Sequence, residues 1–299
     1  MKRPSLKNSP DGGNVIRIAV PNKGRIAVPV SDLMEKSGLH LLDTEERRLI
    51  SRTPDPHIEV LFARPIDIPE YVATGAADLG LTGHDMVVER GAAVDEMLDL
   101  GIGKASLVLA VMEESEIMSP EDLRGAKIAT EFPVITRSYF EGLGIDVTIV
   151  RVGGACEATP YLGIADAIVD LSASGNTLRS NRLRVLCTIL ETGTVLIANR
   201  ESRQRNHEKI EEISLALESV IRAKGQCYLM MNVERDALEA VTRLIPGLSG
   251  PTVMEVASKE HLVAVHAVVD EECVYRLINS LKRAGARDIL VMSIERIIR

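Results

Sequence analysis

Ala165-Asp166-Ala167-Ile168-Val169-Asp170-Leu171-Ser172-Ala173-Ser174-Gly175-Asn176-Thr177-Leu178 decides the fold: a short apolar run framed by two carboxylates opens directly into a small, hydroxyl-rich loop. Ile168, Val169 and Leu171 carry the apolar, largely β-branched character of a buried strand. Ser174, Gly175, Asn176 and Thr177 supply hydroxyls and a backbone that an anion can approach closely, which is the composition of a phosphate cradle. Asp170, at the strand's end, stands where a ligand hydroxyl or a cation would be met.

The same design occurs earlier in the chain. Gly75-Ala76-Ala77-Asp78-Leu79-Gly80-Leu81-Thr82-Gly83 echoes residues 163–170, each segment being a helix end, an aspartate and an emerging strand. Two similar lobes follow, with a ligand cleft between them at the carboxyl ends of the strands. Around these anchors, strands are expected at 15–20, 58–63, 79–82, 107–112, 127–130 and 147–150. Helices are expected at 26–37, closed by Gly38, from Asp67 as N-cap through Ala73, from near Ser119, and at 133–143. Strands alternate with helices throughout, which predicts parallel sheets with helices on both faces.

From about residue 199 the composition shifts. A charged stretch leads into Ile210, Ile213, Leu215, Leu217, Val220 and Ile221, spaced for an amphipathic helix ending near Gly225. Beyond it, strand 227–233, helix 236–244, strands 252–256 and 262–269, helix 271–284 and strand 289–294 give the β-α-β-β-α-β order of a ferredoxin-like module. Such modules serve as small-molecule sensors or oligomerisation units. The expected division is a frayed tail at 1–14, a first lobe at 15–105 with 190–224 returning to it, a second lobe at 106–189, and the module at 225–299.

Composition narrows the function classes. The 299 residues are 45% hydrophobic and carry a net charge of −8, which disfavours a nucleic-acid surface, although a local cluster such as Lys23 and Arg25 can still hold a nucleotide's phosphates. The polar, proline- and glycine-containing start lacks a secretory apolar stretch, and no apolar run approaches the roughly 18 residues of a membrane span. A cytoplasmic protein that does not engage membranes is expected. Cys156, Cys187, Cys227 and Cys273 are widely separated and read as reduced thiols rather than as a zinc site.

Pro21-Asn22-Lys23-Gly24-Arg25, Arg64 with Asp67-Ile68-Pro69, Asp78-Leu79-Gly80 with Gly83, Lys127-Ile128-Ala129-Thr130-Glu131-Phe132-Pro133, Gly154 with Glu157 and Pro160, and the 166–178 loop follow one another in the order of a known family. Together with the C-terminal module they make nearly the whole chain similar to the long form of the ATP phosphoribosyltransferases of histidine biosynthesis. The resemblance implies an α/β fold: a two-lobed catalytic core of type II periplasmic-binding-protein form plus a ferredoxin-like βαββαβ regulatory domain. It also implies condensation of ATP with 5-phosphoribosyl-1-pyrophosphate (PRPP) to N1-(5-phosphoribosyl)-ATP and pyrophosphate, with Mg²⁺, in a homo-oligomer (dimer and hexamer) inhibited by L-histidine.

Under that resemblance Ala173, Ser174, Gly175, Asn176 and Thr177 would hold the PRPP 5-phosphate, while Asp170, Asp166 and Glu157 would act at the ribose hydroxyls or the cation. Lys23, Gly24, Arg25, Arg48, Arg64 and Asp78 would serve ATP or pyrophosphate. In the module, Asn232, Thr252 and Asp288 would meet histidine. The loop departs from the family's more usual Ser-Thr-Gly-Ala-Thr by one hydroxyl lost and one amide gained, and Asn232 stands where family members often carry a carboxylate. His84 is expected to hydrogen-bond or to lie on the surface rather than catalyse, and His261 and His266 to be structural. Two other readings of the lobes are a non-catalytic small-molecule binding protein, against which stand the basic turn and the appended module, and the effector domain of a transcription regulator, for which no helix-turn-helix is expected ahead of Val15.

Overall fold

The computed structural model describes residues 14–42, 49–245, 250–257 and 261–298. The chain divides into two compact units, 1–214 and 215–299. In the first, β1 (Ile16–Pro21) is an almost fully buried apolar run. It turns through Gly24, whose φ of 90° lies in the left-handed region that favours glycine, into α1 (Ala27–Lys36). Val30, Leu33 and Met34 face inward at i, i+3, i+4 spacing. Gly38, at φ 82°, ends that helix as expected: Leu39 N–H reaches back to the Met34 carbonyl.

The chain then forms β2 (Ile50–Arg52), β3 (Ile58–Ala63), α2 (Ile68–Ala73), β4 (Leu79–Gly83), α3 (His84–Arg90) and β5 (Asp95–Asp99). It crosses into a second lobe built from β6 (Ala105–Met112), β7 (Lys127–Thr130), α4 (Pro133–Gly142), β8 (Thr148–Arg151), β9 (Ala167–Ser172), α5 (Asn176–Ser180) and β10 (Leu183–Thr192). β11 (Thr194–Ala198) returns to the first sheet, and α6 (Arg200–Arg205) follows. The sheets are ordered β2-β3-β1-β4-β11-β5 and β10-β6-β9-β7-β8.

Both sheets are mixed, which corrects the expectation of parallel ones. β1 is parallel to β3 and β4, and β7 to β8 and β9. β11 runs antiparallel to β4 and β5, and β6 antiparallel to β9 and β10. β6 and β11, on which the chain enters and leaves the second lobe, are antiparallel to their neighbours, as is the edge strand β2 to β3, and register shifts at Val185/Cys187 and Thr188/Leu190 erase the two-residue periodicity of β10. The helix expected near Ser119 is a single 3-10 turn, Pro120–Leu123, closed by a Ser119/Asp122 capping box. Asp67 does not cap α2: its backbone is helical and its carboxylate instead pairs with Arg90 at 3.0 Å.

Packing is close where helices cross strands. Ile68 and Val72 of α2 bury against Ala19, Ala63 and Ile197, and a Cβ on Gly80 would lie 2.6 Å from Ile68 Cγ2. The second sheet buries Ala167 and Val169 on one face, and Ile168, with Cys156 and Leu178, on the other.

α7 (His207–Ala223) precedes β12 (Gln226–Glu234), α8 (Leu238–Thr242), β13 (Thr252–Glu255), β14 (Leu262–Asp270), α9 (Glu271–Arg283) and β15 (Ala286–Ser293). These four strands form an antiparallel sheet ordered β13-β14-β12-β15, the arrangement of the ferredoxin-like module. Its core is Leu229, Met231, Val233, Val241, Val265 and Leu281. Among the described residues no helix is long and apolar enough to cross a membrane.

Candidate functional site

Parallel strands β7, β8 and β9 deliver their carboxyl ends to one edge of the second sheet, and there the acidic residues collect. Asp170 shares a sheet face with Ile168 and is half-buried. Burial raises its pKa to about 6, the charges of Glu157 and Glu131 add to the rise, and the Leu171 N–H, donated to Oδ1 at 2.7 Å, opposes it. Cys156 reports the same surroundings: burial, then Asp170, Glu131 and Glu157, push its thiol up to about 12. That thiol donates to the Ala129 carbonyl at 3.2 Å, a buried structural role. A Cβ on Gly154 would stand 3.6 Å from Glu131 Oε1, so this turn lies against the glutamate.

The loop after β9 is exposed from Ala173 to Thr177 except at half-buried Gly175, and Leu178, packed in the core, anchors the helix behind it. Gly175 adopts φ 71° and donates its N–H to Ser172 Oγ at 3.1 Å. The Arg179 guanidinium donates to the Asn176 side-chain oxygen at 2.6 Å and to the Ser174 carbonyl at 3.1 Å. A cation therefore lies on the loop's own backbone. Three residues here were not singled out from sequence: Ser172, Arg179 and Glu131. For Arg179 the signal was available, since it follows Asn176 by three residues on a helix that starts in the loop.

In the first sheet, Pro21 of β1 pairs in register with Ala63 of β3, so the Lys23 turn and Arg64 leave the sheet side by side at its carboxyl edge. Lys23, Gly24, Arg25 and Arg64 are exposed. One Arg25 nitrogen donates to the Gly103 carbonyl and to that of Lys104, in the segment crossing between lobes. His84 bonds Glu96 at 3.0 Å, the hydrogen-bonding role expected of it. The carboxyl edges of the two sheets face each other: α3 starts just after β4, α4 just after β7, and Glu89 of α3 accepts the N–H groups of Val134 and Ile135 that open α4.

Two assigned aspartates lie elsewhere. Asp78 and Asp166 sit at the amino ends of β4 and β9, the edge opposite the loop, and each is occupied by backbone. Asp78 Oδ2 accepts from Arg17 N–H at 2.8 Å and Oδ1 from the Ser202 hydroxyl at 2.6 Å; Asp166 Oδ2 accepts from Lys127 N–H at 2.8 Å. At about 3.3 Å per residue, Asp166 is about 13 Å along the strand from Asp170, too far to share its cation or ribose. This removes Asp166 from the catalytic and metal sets and Asp78 from the ATP set. A concavity of about 410 Å³ does lie near Asp78, lined by Thr74, Gly75, Asn199 and Arg200 among others, but no predicted site residue lines it. Arg48 falls outside the described residues.

In the C-terminal unit, Asn232 Nδ2 donates to Asp288 Oδ2 at 3.0 Å, and Asp288 holds a left-handed backbone at φ 49°. Thr252 is not beside them: it pairs with His266 while Asn232 pairs with Ala264, on the same face but a strand apart and two positions out of step. Thr252 instead borders a cavity of about 290 Å³ with Tyr228, Met254 and His266, where the Tyr228 hydroxyl meets His266 Nδ1 at 2.5 Å.

Comparison with known proteins gives the family. A family described as ATP phosphoribosyltransferase matches residues 64–219, and one described as HisG, C-terminal domain matches 223–296. The chain is 54% identical to ATP phosphoribosyltransferase of Methanocella arvoryzae over 95% of its length and 100% of the relative's. It is 55% identical to that of Methanothermobacter thermautotrophicus, covering 95% and 99%. Among solved structures, the ATP phosphoribosyl transferase (HisG:HisZ) complex from Thermotoga maritima superposes with a TM-score of 0.60 at 29% identity, over 68% of this chain and 99% of that one.

Proposed function

This chain belongs to the ATP phosphoribosyltransferase family, and on that premise we propose how its own residues divide the work of the reaction. The enzyme is a pentosyltransferase of histidine biosynthesis: adenine N1 of ATP attacks C1 of the PRPP ribose, the N1–C1 bond forms, and the C1–O bond breaks with its electron pair leaving on pyrophosphate. Adenine N1 already holds a lone pair, so no strong base is needed. What is needed is alignment of two anions and stabilisation of the departing group.

The observation that carries the assignment is the loop at the end of β9, where Gly175 turns left-handed beside a half-buried carboxylate with a raised pKa. Backbone N–H groups of the 173–177 loop, apart from that of Gly175, which is given to Ser172 Oγ, and the hydroxyls of Ser174 and Thr177 bind the 5-phosphate, with Arg179 adding charge. Asp170 orients the ribose hydroxyls. Lys23 and Arg64, leaving the facing sheet edge together, bind the polyphosphate of ATP or the pyrophosphate; Arg25, partly committed to the Gly103 and Lys104 carbonyls, contributes charge.

Phosphoribosyltransferases generally use a divalent metal, and we take the ion to be Mg²⁺. Asp170 and Glu157, with Glu131 beside them, form an all-oxygen, mutually repelling set that suits a hard cation. Among the described residues no group of three His, Cys, Asp or Glu side chains is placed to hold a metal ion by itself, so the proposal is that substrate oxygens and water complete the ion's shell. Bound there, it would neutralise charge on the leaving pyrophosphate.

We extend the reading to control. Asn232 and Asp288 form one half of an L-histidine site on the module, and Thr252, a strand away on the same sheet face, bounds its far side. Self-association into dimers and hexamers is taken from the family resemblance. Two assays test these readings. Incubation with ATP, PRPP and Mg²⁺ should yield a new adenine nucleotide and pyrophosphate in equal amounts, and failure to form either counts against the enzyme. Calorimetry with L-histidine should show binding that Asp288→Ala weakens; no heat with the wild-type chain removes the regulatory reading alone.

A further inference from the structure

α3 carries two buried carboxylates, Asp85 and Glu89, four residues apart and hence on one face. A seven-residue helix does not need them for its own stability; each is used to grip something in the other lobe or on the way to it. Asp85 accepts the Thr192 hydroxyl at 2.7 Å and donates its N–H to the same oxygen at 3.0 Å, tying α3 to the end of β10 as the chain leaves the second lobe. Glu89 reaches farther. Its two oxygens accept Val134 N–H at 3.1 Å and Ile135 N–H at 3.0 Å, the first donors that α4 offers because Pro133 has none.

Helix α4 is joined to β7 by Glu131 and Phe132 alone. That junction is braced from within by Phe132 N–H to Thr130 Oγ1 at 2.9 Å and Thr136 Oγ1 to the Phe132 carbonyl at 2.7 Å. Whatever sets the first turn of α4 therefore sets Glu131, which stands with Glu157 around Asp170. We infer that Glu89 is a positioning residue for phosphoribosyl transfer: from the nucleotide-side lobe it fixes the start of α4, and so the carboxylates of the PRPP-side lobe, at the separation the reaction uses. The inference rests on the functional reading above. Glu89, whose oxygens are given to the Val134 and Ile135 N–H groups, acts through α4; it makes the two half-sites one rigid pair, so that transition-state alignment rather than substrate affinity depends on it.

The test compares the full-length wild type with Glu89→Gln, which keeps volume and one acceptor, and with Glu89→Ala. Two readouts are taken: hydrogen exchange at the Val134 and Ile135 amides, and kcat and KM for both substrates. Both variants should exchange faster at those two amides while the β1 and β9 amides keep wild-type protection, and kcat should fall about tenfold or more with each KM within about threefold. Should Glu89→Ala not fold, Glu89→Gln carries the test. Unchanged exchange overturns the bridge; faster exchange with unchanged kcat, or a loss confined to KM, overturns the positioning role. A wild type without turnover, but with the exchange difference intact, overturns the functional reading and leaves the bridge standing.

Discussion

Asp78 and Asp166 hold equivalent places in the two lobes: each donates its backbone N–H to the carbonyl of a residue at the start of the neighbouring parallel strand, the second of β1 and the first of β7, and accepts that residue's N–H on its carboxylate. The partners are Arg17 at 2.9 and 2.8 Å for Asp78, and Lys127 at 2.8 and 2.8 Å for Asp166. The echo between 75–83 and 163–170 is therefore a repeated strand-start clamp, and its aspartates serve the structure. The two differ in burial: Asp78 is 2% exposed, whereas Asp166 is open to water.

Removing the clamps should cost stability and spare turnover. Asp78→Ala leaves buried donors of Arg17 and Ser202 without their carboxylate and should destabilise by about 1–3 kcal/mol, with Asp166→Ala costing less because water replaces its oxygen. Denaturant melts check the order, and kcat of the folded variants should stay within a factor of about two.

Asp170 should make activity and stability respond to pH in opposite directions. Its folded pKa, about 6, lies above the 3.8 of the unfolded chain, so the folded state binds the proton more tightly and stability falls as pH rises from about 4 to 6. Turnover, which uses the carboxylate, should rise through the same window. Asp170→Asn should flatten the stability fall and raise the melting temperature at pH 7.5 relative to wild type. An unchanged melting profile would mean that the acidic surroundings do not act on Asp170.

Gly83 is required by a side chain rather than by its backbone, whose φ is −72°. A Cβ there would lie 2.2 Å from Asp85 Oδ1 and would break the contact with Thr192. Gly83→Ala should destabilise by about 1–3 kcal/mol. Thermal melts of Gly83→Ala and Asp85→Ala should show similar losses, and the double variant less than their sum.

Lys23→Ala should weaken nucleotide or pyrophosphate handling by about 1.5–3 kcal/mol, the worth of a charge-assisted contact. Added salt should shrink the difference, because the turn is exposed. Kinetics unchanged for both substrates would remove Lys23 from the site.

Much of this was legible because the buried stretches 18–21, 128–129 and 167–169 are apolar on both faces, as a sheet covered on both sides permits. The C-terminal module was readable from element order alone. What escaped were the strands that return between lobes: Asp95–Asp99 is rich in acids, and β10 is broken by register shifts. Within the site, Asp170 and its loop stood in one continuous segment and could be read together. Asp166 was grouped with them by nearness in sequence, yet a strand carries its two ends apart. Glu89 was invisible for the converse reason: its partners lie 45 and 46 residues away, in another lobe.

The initial rate of PRPP-dependent phosphoribosyl-ATP formation, measured for the wild type and for Asp170→Asn with melting curves taken alongside, tests the central claim most directly. The account predicts equimolar product and pyrophosphate from the wild type, and a folded Asp170→Asn slower by about a hundredfold or more. Near-wild-type turnover by folded Asp170→Asn would contradict it.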